Sequence, residues 1–207
     1  GRRNQGLIFN SYGNQHARTE FMIPNSFFAV RAGQQGRKPV VRALQTVKEG
    51  AFPPVAGLRF SGQYPFGKYT FDDRKLPVKV TESVYSPTIP GNAKDSAIPT
   101  AIYEFTFHNP GRKPVQVSLL ATQQNPSGLD GESEVTGADR RQNPAYGSNR
   151  NKVTRTGGRT RLELEGDKGG MAVSIPGGKV SGTASWGSLG SLLAQFRKSG
   201  SVSGAGE

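Results

Sequence analysis

The stretch AIYEFTFHNPGRKPVQVSLLAT, residues 101–122, indicates the fold most clearly. Apolar and polar side chains alternate over residues 101–108 and again over residues 115–122, which is typical of half-buried β-strands. Between the two runs, Pro110 fixes its own φ angle and Gly111 tolerates a positive one, so a turn is expected there. The two strands are therefore predicted to form a β-hairpin.

Further short strands are expected on both sides of this pair. They are predicted at residues 26–32, 40–47, 58–64, 68–71, 78–84, 160–164, 170–175 and 179–186. Hairpin turns are predicted at Gly157–Gly158, Gly169–Gly170 and Gly177–Gly178. Gly 28 and Pro 14 among 207 residues supply many turn signals, which favours an all-β chain.

The hydrophobic period changes near the C-terminus. One helical face is formed by Leu189, Leu192, Leu193 and Phe196. Gly200 follows as a stop signal. The predicted fold is an antiparallel β-sandwich, supersandwich-like, with one short C-terminal helix. Residues 1–200 are expected to form a single domain, followed by a tail or truncated linker at 201–207. Because the sequence opens on Gly-Arg-Arg-Asn, it is interpreted as part of a longer polypeptide.

The composition excludes several kinds of site. Cysteine is absent and only two histidines occur, His16 and His108, so neither a thiolate metal site nor a catalytic triad is expected. No cofactor and no catalytic residue are assigned. A catalytic pair of Asp72 or Asp73 with the distant Asp95 is considered, but a turn that solvates both Asp72 and Asp73 is the preferred interpretation. No run approaches the ~18 apolar residues of a membrane span, so a soluble protein is expected, either cytoplasmic or secreted.

A formal net charge of +12 suggests contact with polyanions. The densest basic stretch, residues 140–161, lies within or beside a Gly-, Asn- and Ser-rich excursion at 125–159, which favours a solvated loop. Nucleic acid is an unlikely partner because no RNA-binding aromatic motif and no basic helix with a zipper occur. The weak polyanion candidates are Arg140, Arg141, Arg150, Lys152 and Arg155.

Residues 60–125 carry a resemblance to a known family. The segments LPVKV (76–80) and SPTIPGNAKDSAIP (86–99), with Gly62, Tyr64 and Pro65 before them, closely resemble the N-terminal domain of glycoside hydrolase family 116. That family comprises non-lysosomal glucosylceramidases and related β-glucosidases and β-xylosidases.

The resemblance implies a two-domain plan, in which an N-terminal β-sandwich precedes an (α/α)6 barrel that carries the retaining carboxylates. The expected function is then a non-catalytic domain that docks on the barrel and shapes access to its cleft. The parent polypeptide is expected to hydrolyse a β-glycoside or a glycolipid. The candidate interdomain or cleft-edge contacts are Tyr64, Phe66, Tyr69, Ile89, Asn92, Asp95 and Ser96. For Asn92, Asp95 and Ser96, side-chain to backbone bonds that fix the local shape are also expected.

Two alternatives stay open at this point. A free-standing carbohydrate-binding module would need a row of exposed aromatic side chains, for which the candidates are Tyr64, Tyr69, Tyr85 and Trp186. A basic polyanion-binding domain would use the cations of residues 140–161, and its affinity would fall with salt.

Overall fold

The structure is a computed structural model that describes residues 25–125, 149–167 and 169–204. Within these residues it contains ten strands and two helices, which confirms an all-β chain with a short C-terminal helix. The strands are β1 (Phe27–Gln34), β2 (Val40–Ala43), β3 (Gly57–Gln63), β4 (Phe66–Asp72), β5 (Lys79–Tyr85), β6 (Ile102–His108), β7 (Val115–Thr122), β8 (Arg150–Thr156), β9 (Arg159–Gly166) and β10 (Gly169–Pro176). The helices are α1 (Ala93–Ser96) and α2 (Leu189–Ser199).

The chain divides into two compact units. Among the described residues, the first unit takes in 27–120 and the second takes in 25–26 and 121–204. The first unit contains a four-stranded sheet, β3-β4-β5-β6, and most of a three-stranded sheet, β2-β1-β7. The second contains the sheet β10-β9-β8 and helix α2. The single domain expected over residues 1–200 stays a prediction.

The first unit is a β-sandwich, as predicted. Its buried apolar cluster draws side chains from both of its sheets, namely Val30, Ala32, Leu44, Val55, Phe71, Leu76, Val78 and Val80. The ring of Phe28 on β1 lies 4.9 Å from that of Phe105 on β6, measured between ring centroids. The inner faces of the two sheets are therefore buried against each other, while the middle of β1 is buried on both faces. Burial of apolar surface is the main force that holds the sheets together.

The hairpin predicted over residues 101–122 is wrong. Strand β6 pairs with β5, whereas β7 belongs to the other sheet beside β1, so the connection crosses from one sheet to the other. The predicted turn itself exists, because the Asn109 side chain accepts a bond from the Gly111 amide and donates one to the Lys113 carbonyl. Turn chemistry specifies that the chain reverses. It does not specify whether the two strands pair edge to edge or pack face to face.

The predicted excursion at 125–159 is wrong over its last part, because Arg150–Thr156 forms strand β8. A hairpin joins β8 to β9 through Gly157 and Gly158, whose φ angles of 58° and 72° suit the two-residue turn that glycine favours. A correction also applies to residues 179–186, which form no strand.

Helix α2 is confirmed, with buried Leu192, Leu193 and Phe196 on one face. Ser188 caps its N-terminus, and Gly200 ends it in the left-handed conformation at φ 72°.

In the described part of the chain, no helix is long and apolar enough to cross a membrane.

The two ends of the first unit carry different connections. Phe66, Tyr85 and Ile102 are paired in register across β4, β5 and β6. The Tyr64–Pro65 turn and the segment 86–101 therefore lie at the same end of the four-stranded sheet, which we call the loop end.

The opposite end, which we call the turn end, holds the connections 35–39, 73–78 and 109–114. The Ser26 hydroxyl accepts a bond from the Gln124 amide at 3.0 Å, so the end of β7 lies beside the start of β1. The two strands are therefore antiparallel, and the start of β7 lies beside the end of β1. This brings the connections of both sheets to one end of the sandwich.

Candidate functional site

Large apolar side chains are exposed mainly at the loop end of the first unit. In order of exposure they are Tyr64 at 86%, Phe66 at 54%, Phe60 at 53%, Ile98 at 50% and Ile89 at 47%. Elsewhere in the described residues, the other exposed large hydrophobic side chains are Leu119 and Ile175. A cluster of this kind on one end of a small domain is typical of an interaction surface.

Tyr64 stands at the tip of the tight turn between β3 and β4. Gln63 pairs directly with Phe66, which leaves Tyr64 and Pro65 as the two turn residues, joined by a cis peptide bond. Because a two-residue turn fixes the register on both sides, the backbone position of Tyr64 is set by the sheet.

Phe66 extends this surface onto the outer face of the four-stranded sheet. Its ring lies 5.3 Å from that of Tyr85, the cross-strand neighbour on β5. The Tyr85 hydroxyl donates to the Glu104 carboxylate at 3.2 Å. Partial desolvation, and then the bond to Glu104 and its charge, raise the pKa of Tyr85, so the hydroxyl stays a donor at neutral pH.

Phe60 lies over two facing glycines on the inner face of the same sheet. Gly62 and Gly67 are paired in register, and a Cβ added to Gly67 would lie 3.1 Å from both the Phe60 ring and the Val84 side chain. The absence of a side chain at Gly67 therefore lets the ring lie close to the backbone. The Tyr69 ring supports it from the other side, at 4.8 Å.

Tyr69 contacts the exposed Phe60 ring, but its own side chain is only partly exposed and lies on the opposite face of the sheet from Phe66. It lies on the inner face between Phe60 and Phe71 and packs against the core. Burial, and then the charge of fully buried Glu82, raise its pKa. Burial, followed by the charge of Glu82 and by Tyr69, raises the pKa of nearby Tyr103 to about 12.

Asn92, Asp95 and Ser96 hold the segment 86–101 in shape, as expected from the sequence. The Asn92 carboxamide accepts a bond from the Asp95 amide and donates to the Asp95 carboxylate at 2.6 Å. The Ser96 hydroxyl exchanges two bonds with the backbone of Ile89. These bonds hold the half-exposed Ile89 side chain at the loop end without regular strand pairing.

The carboxylates considered for catalysis occupy structural positions. Asp73 accepts a bond from the Arg42 guanidinium at 2.6 Å and is nearly buried, whereas Asp72 forms an exposed ion pair with Arg59 at 3.4 Å. Asp95 is held by Asn92. Among the described residues, no three His, Cys, Asp or Glu side chains are grouped so as to hold a metal ion.

The polyanion candidates on β8 do not share one face. Arg150 and Lys152 lie directly opposite Glu165 and Glu163 on one face of the third sheet, so acidic neighbours offset their charge. Arg155 occupies the alternate position along the strand and points to the opposite face. Two further candidates, which lie outside the described residues, are Arg140 and Arg141.

The four aromatic candidates for sugar stacking do not form a row. Tyr85 is on the outer face of the four-stranded sheet and Tyr69 is on its inner face. Tyr85 pairs with Phe66, which lies three residues from Tyr69 on β4, and an odd separation along a strand places two side chains on opposite faces. Trp186 belongs to the second unit.

One charged feature was missed by the sequence reasoning. Each connection at the turn end carries an adjacent, exposed arginine–lysine pair: Arg37–Lys38, Arg74–Lys75 and Arg112–Lys113. The signal was available, because the pentapeptide Gly-Arg-Lys-Pro-Val occurs both at residues 36–40 and at 111–115.

Comparison with known proteins identifies the family of the chain. A search of curated proteins finds no match. The family model described as "beta-glucosidase 2, glycosyl-hydrolase family 116 N-term" matches residues 9–206 and thus runs through both compact units. The chain therefore belongs to the family of N-terminal domains of glycosyl hydrolase family 116.

Proposed function

We propose that the chain is a non-catalytic domain that docks on an (α/α)6 catalytic barrel of the same polypeptide and shapes access to its cleft. The barrel would hydrolyse β-glycosides with retention of configuration, using two carboxylates of its own. The observation that carries the proposal is the concentration of exposed apolar side chains at the loop end, in a chain of a family defined as an N-terminal domain.

The loop end has the properties that docking needs. The Tyr64–Pro65 turn fixes the backbone of this end, and the Phe66 ring packs against Tyr85, so less conformational freedom is lost on association. Burying each half-exposed large side chain contributes on the order of 1 kcal/mol. A covalently linked barrel is present at high effective concentration, so a patch of this size is enough for stable docking.

The described carboxylates support a non-catalytic role. Retaining glycosidases place two carboxyl groups about 5 Å apart on either side of the scissile bond. Here Asp73 is engaged by Arg42, and Asp95 by Asn92. Asp72 pairs with Arg59 in solvent.

The test is hydrolysis of β-glucosides and β-xylosides by the 207-residue chain and by the full polypeptide that carries it. We expect an inactive chain and an active full polypeptide. Hydrolysis by the chain alone at a comparable kcat/KM would overturn the non-catalytic assignment.

A paired set of variants of the full polypeptide tests the docking step. Tyr64→Ser with Phe66→Ser is expected to lower kcat/KM and the thermal midpoint, because both side chains would lose their contact with the barrel. The matched control is Leu119→Ser with Ile175→Ser, two exposed apolar residues outside the loop end. Equal effects of the two double variants would contradict docking through the loop end.

Carbohydrate binding is the second candidate, because Tyr64, Phe66 and Tyr85 are aromatic and Glu104 supplies an acceptor beside them. Isothermal titration of the chain with β-linked gluco-oligosaccharides tests it. Measurable heat that is lost in Phe66→Ala would support a sugar site. A flat titration would remove this candidate.

A further inference from the structure

Six cations of the first unit lie at the turn end, on three separate connections. They are the adjacent pairs Arg37–Lys38, Arg74–Lys75 and Arg112–Lys113, and all six side chains are exposed. The first and third pairs precede strands β2 and β7, which flank β1 in the three-stranded sheet. The second pair lies between β4 and β5 of the facing sheet.

The dimensions of a β-sandwich place these pairs close together. Neighbouring strands are ~4.8 Å apart and packed sheets ~10 Å apart, so the three pairs cover a surface on the order of 10–15 Å across. This is comparable with the Debye length of ~10 Å at about 0.1 M salt, so the six charges act on a partner together.

Among the residues that the structure describes, acidic side chains do not neutralise this surface. In the part of the chain that the structure describes, the ion pairs found include none of the six cations. The nearest carboxylates in sequence, Asp72 and Asp73, are paired with Arg59 and Arg42 instead.

The turns that carry the cations are ordered by local bonds. The Asp73 carboxylate accepts a bond from the Lys75 amide at 2.8 Å, and the Arg37 amide donates to the Gln34 carbonyl at 3.1 Å. The Asn109 side chain bonds to the backbone at both ends of its turn. A proline follows each pair and limits the backbone further, at Pro39, Pro77 and Pro114.

We propose that the turn end binds the anionic headgroup surface of a phospholipid bilayer. Exposed cations on three turns, spread over both sheets, can contact several phosphate groups of a headgroup surface at once. The exposed aromatic rings of the first unit lie at its loop end and not beside these turns. Stacking on bases, which single-stranded nucleic acids require, therefore has no support here. The binding is peripheral and depends on salt.

This surface is independent of docking to a catalytic barrel. The loop end and the turn end are opposite ends of the same sandwich, so a barrel bound at one leaves the other accessible.

The test is co-sedimentation of the full polypeptide with vesicles of phosphatidylcholine, with and without phosphatidylserine. We expect binding only to the anionic vesicles at ~0.05 M salt, and its loss at ~0.5 M salt. Arg112→Ala with Lys113→Ala is expected to lower the partition coefficient about 25-fold, since each cation near an anionic surface contributes about fivefold. Replacing all six cations by alanine should abolish binding.

The matched control, Lys68→Ala with Lys94→Ala, removes the same charge from exposed positions away from the turn end and should leave binding nearly unchanged. Thermal unfolding of each variant checks its fold. If Arg112→Ala with Lys113→Ala does not fold, Arg37→Ala with Lys38→Ala takes its place in the test. Absence of binding to anionic vesicles at low salt would overturn the proposal. Equal loss in the control, or binding to an oligonucleotide but not to vesicles, would also overturn it.

Discussion

Asp72 and Asp73 show how differently two adjacent identical residues can be used. The alternation at the end of β4 directs one carboxylate to solvent beside Arg59 and the other to the nearly buried guanidinium of Arg42. The sequence shows the pair of acids, but the cation beside each one comes from a different strand, β3 for Asp72 and β2 of the facing sheet for Asp73. Their different roles could therefore be assigned only from the fold.

Replacing Asp73 is expected to be far more costly than replacing Asp72. Asp73→Asn leaves Arg42 with a weakened partner in a nearly buried position and removes a charged acceptor of the Lys75 amide, so we expect a loss of about 2–4 kcal/mol. Asp72→Asn should change the free energy of unfolding by less than about 1 kcal/mol. Urea denaturation of both variants measures the difference, and similar losses would contradict these roles.

The raised pKa of Tyr103 predicts that the folded protein loses stability at alkaline pH. This pKa is raised to about 12 in the folded protein, against 10.0 for an unperturbed tyrosine. The folded chain therefore holds this proton more tightly than the unfolded chain. The stabilisation is complete below pH 10 and is lost as the pH rises from 10 toward 12, with a slope of up to about 1.4 kcal/mol per pH unit.

Urea denaturation of the protein and of Tyr103→Phe at several pH values between 9 and 12 measures this slope. The variant retains the ring and removes the ionisable hydroxyl. We expect its free energy of unfolding to fall less steeply with pH. The same slope in both proteins would show that other groups cause the alkaline loss.

At the scale of elements, alternation predicted most strands of the first unit within a few residues, because one face of each strand is buried in the sandwich. Strand pairing was not predictable in the same way. The connection 109–114 has the residues of a turn, yet it joins β6 and β7 in different sheets. Strand β8 was not predicted because one of its faces carries Arg150 and Lys152, which lie opposite acidic residues of β9. This face therefore lacks the apolar residues by which the other strands were recognised.

The segment 86–101 is where sequence reasoning identified the local bonds correctly. Asn92 caps helix α1 and bonds to Asp95, and Ser96 bonds to Ile89. The local bonds were predictable because Asx and Ser turns involve residues close in sequence. The exposure of Ile89 could not be predicted in this way, because it depends on the position of the segment relative to the sheet.

Asn92→Ala is expected to loosen this segment without unfolding the sandwich. It removes the cap and the bond to the Asp95 carboxylate, which costs about 1 kcal/mol of local stability. Amide hydrogen exchange should accelerate at Ser96 and Ala97, while the amides of β5 stay protected. Unchanged exchange at these two positions would mean that other contacts hold the segment.

At the scale of the molecule, the first unit has an apolar end and a basic end, and this polarity follows from the register of its strands. Composition indicated a basic chain, and the likeness over residues 60–125 indicated the family, which the match over residues 9–206 confirms. Which side chains share an end could not be predicted, because residues such as Arg37, Arg74 and Arg112 are brought together only by the order of strands in both sheets.

The most direct measurement of docking is hydroxyl-radical footprinting of the 207-residue chain and of the full polypeptide. We predict that oxidation of Tyr64, Phe66 and Ile89 falls several-fold in the full polypeptide, because the barrel covers the loop end. Leu119 and Ile175 should react equally in both. Equal oxidation of Tyr64, Phe66 and Ile89 in the two proteins would contradict docking through this surface.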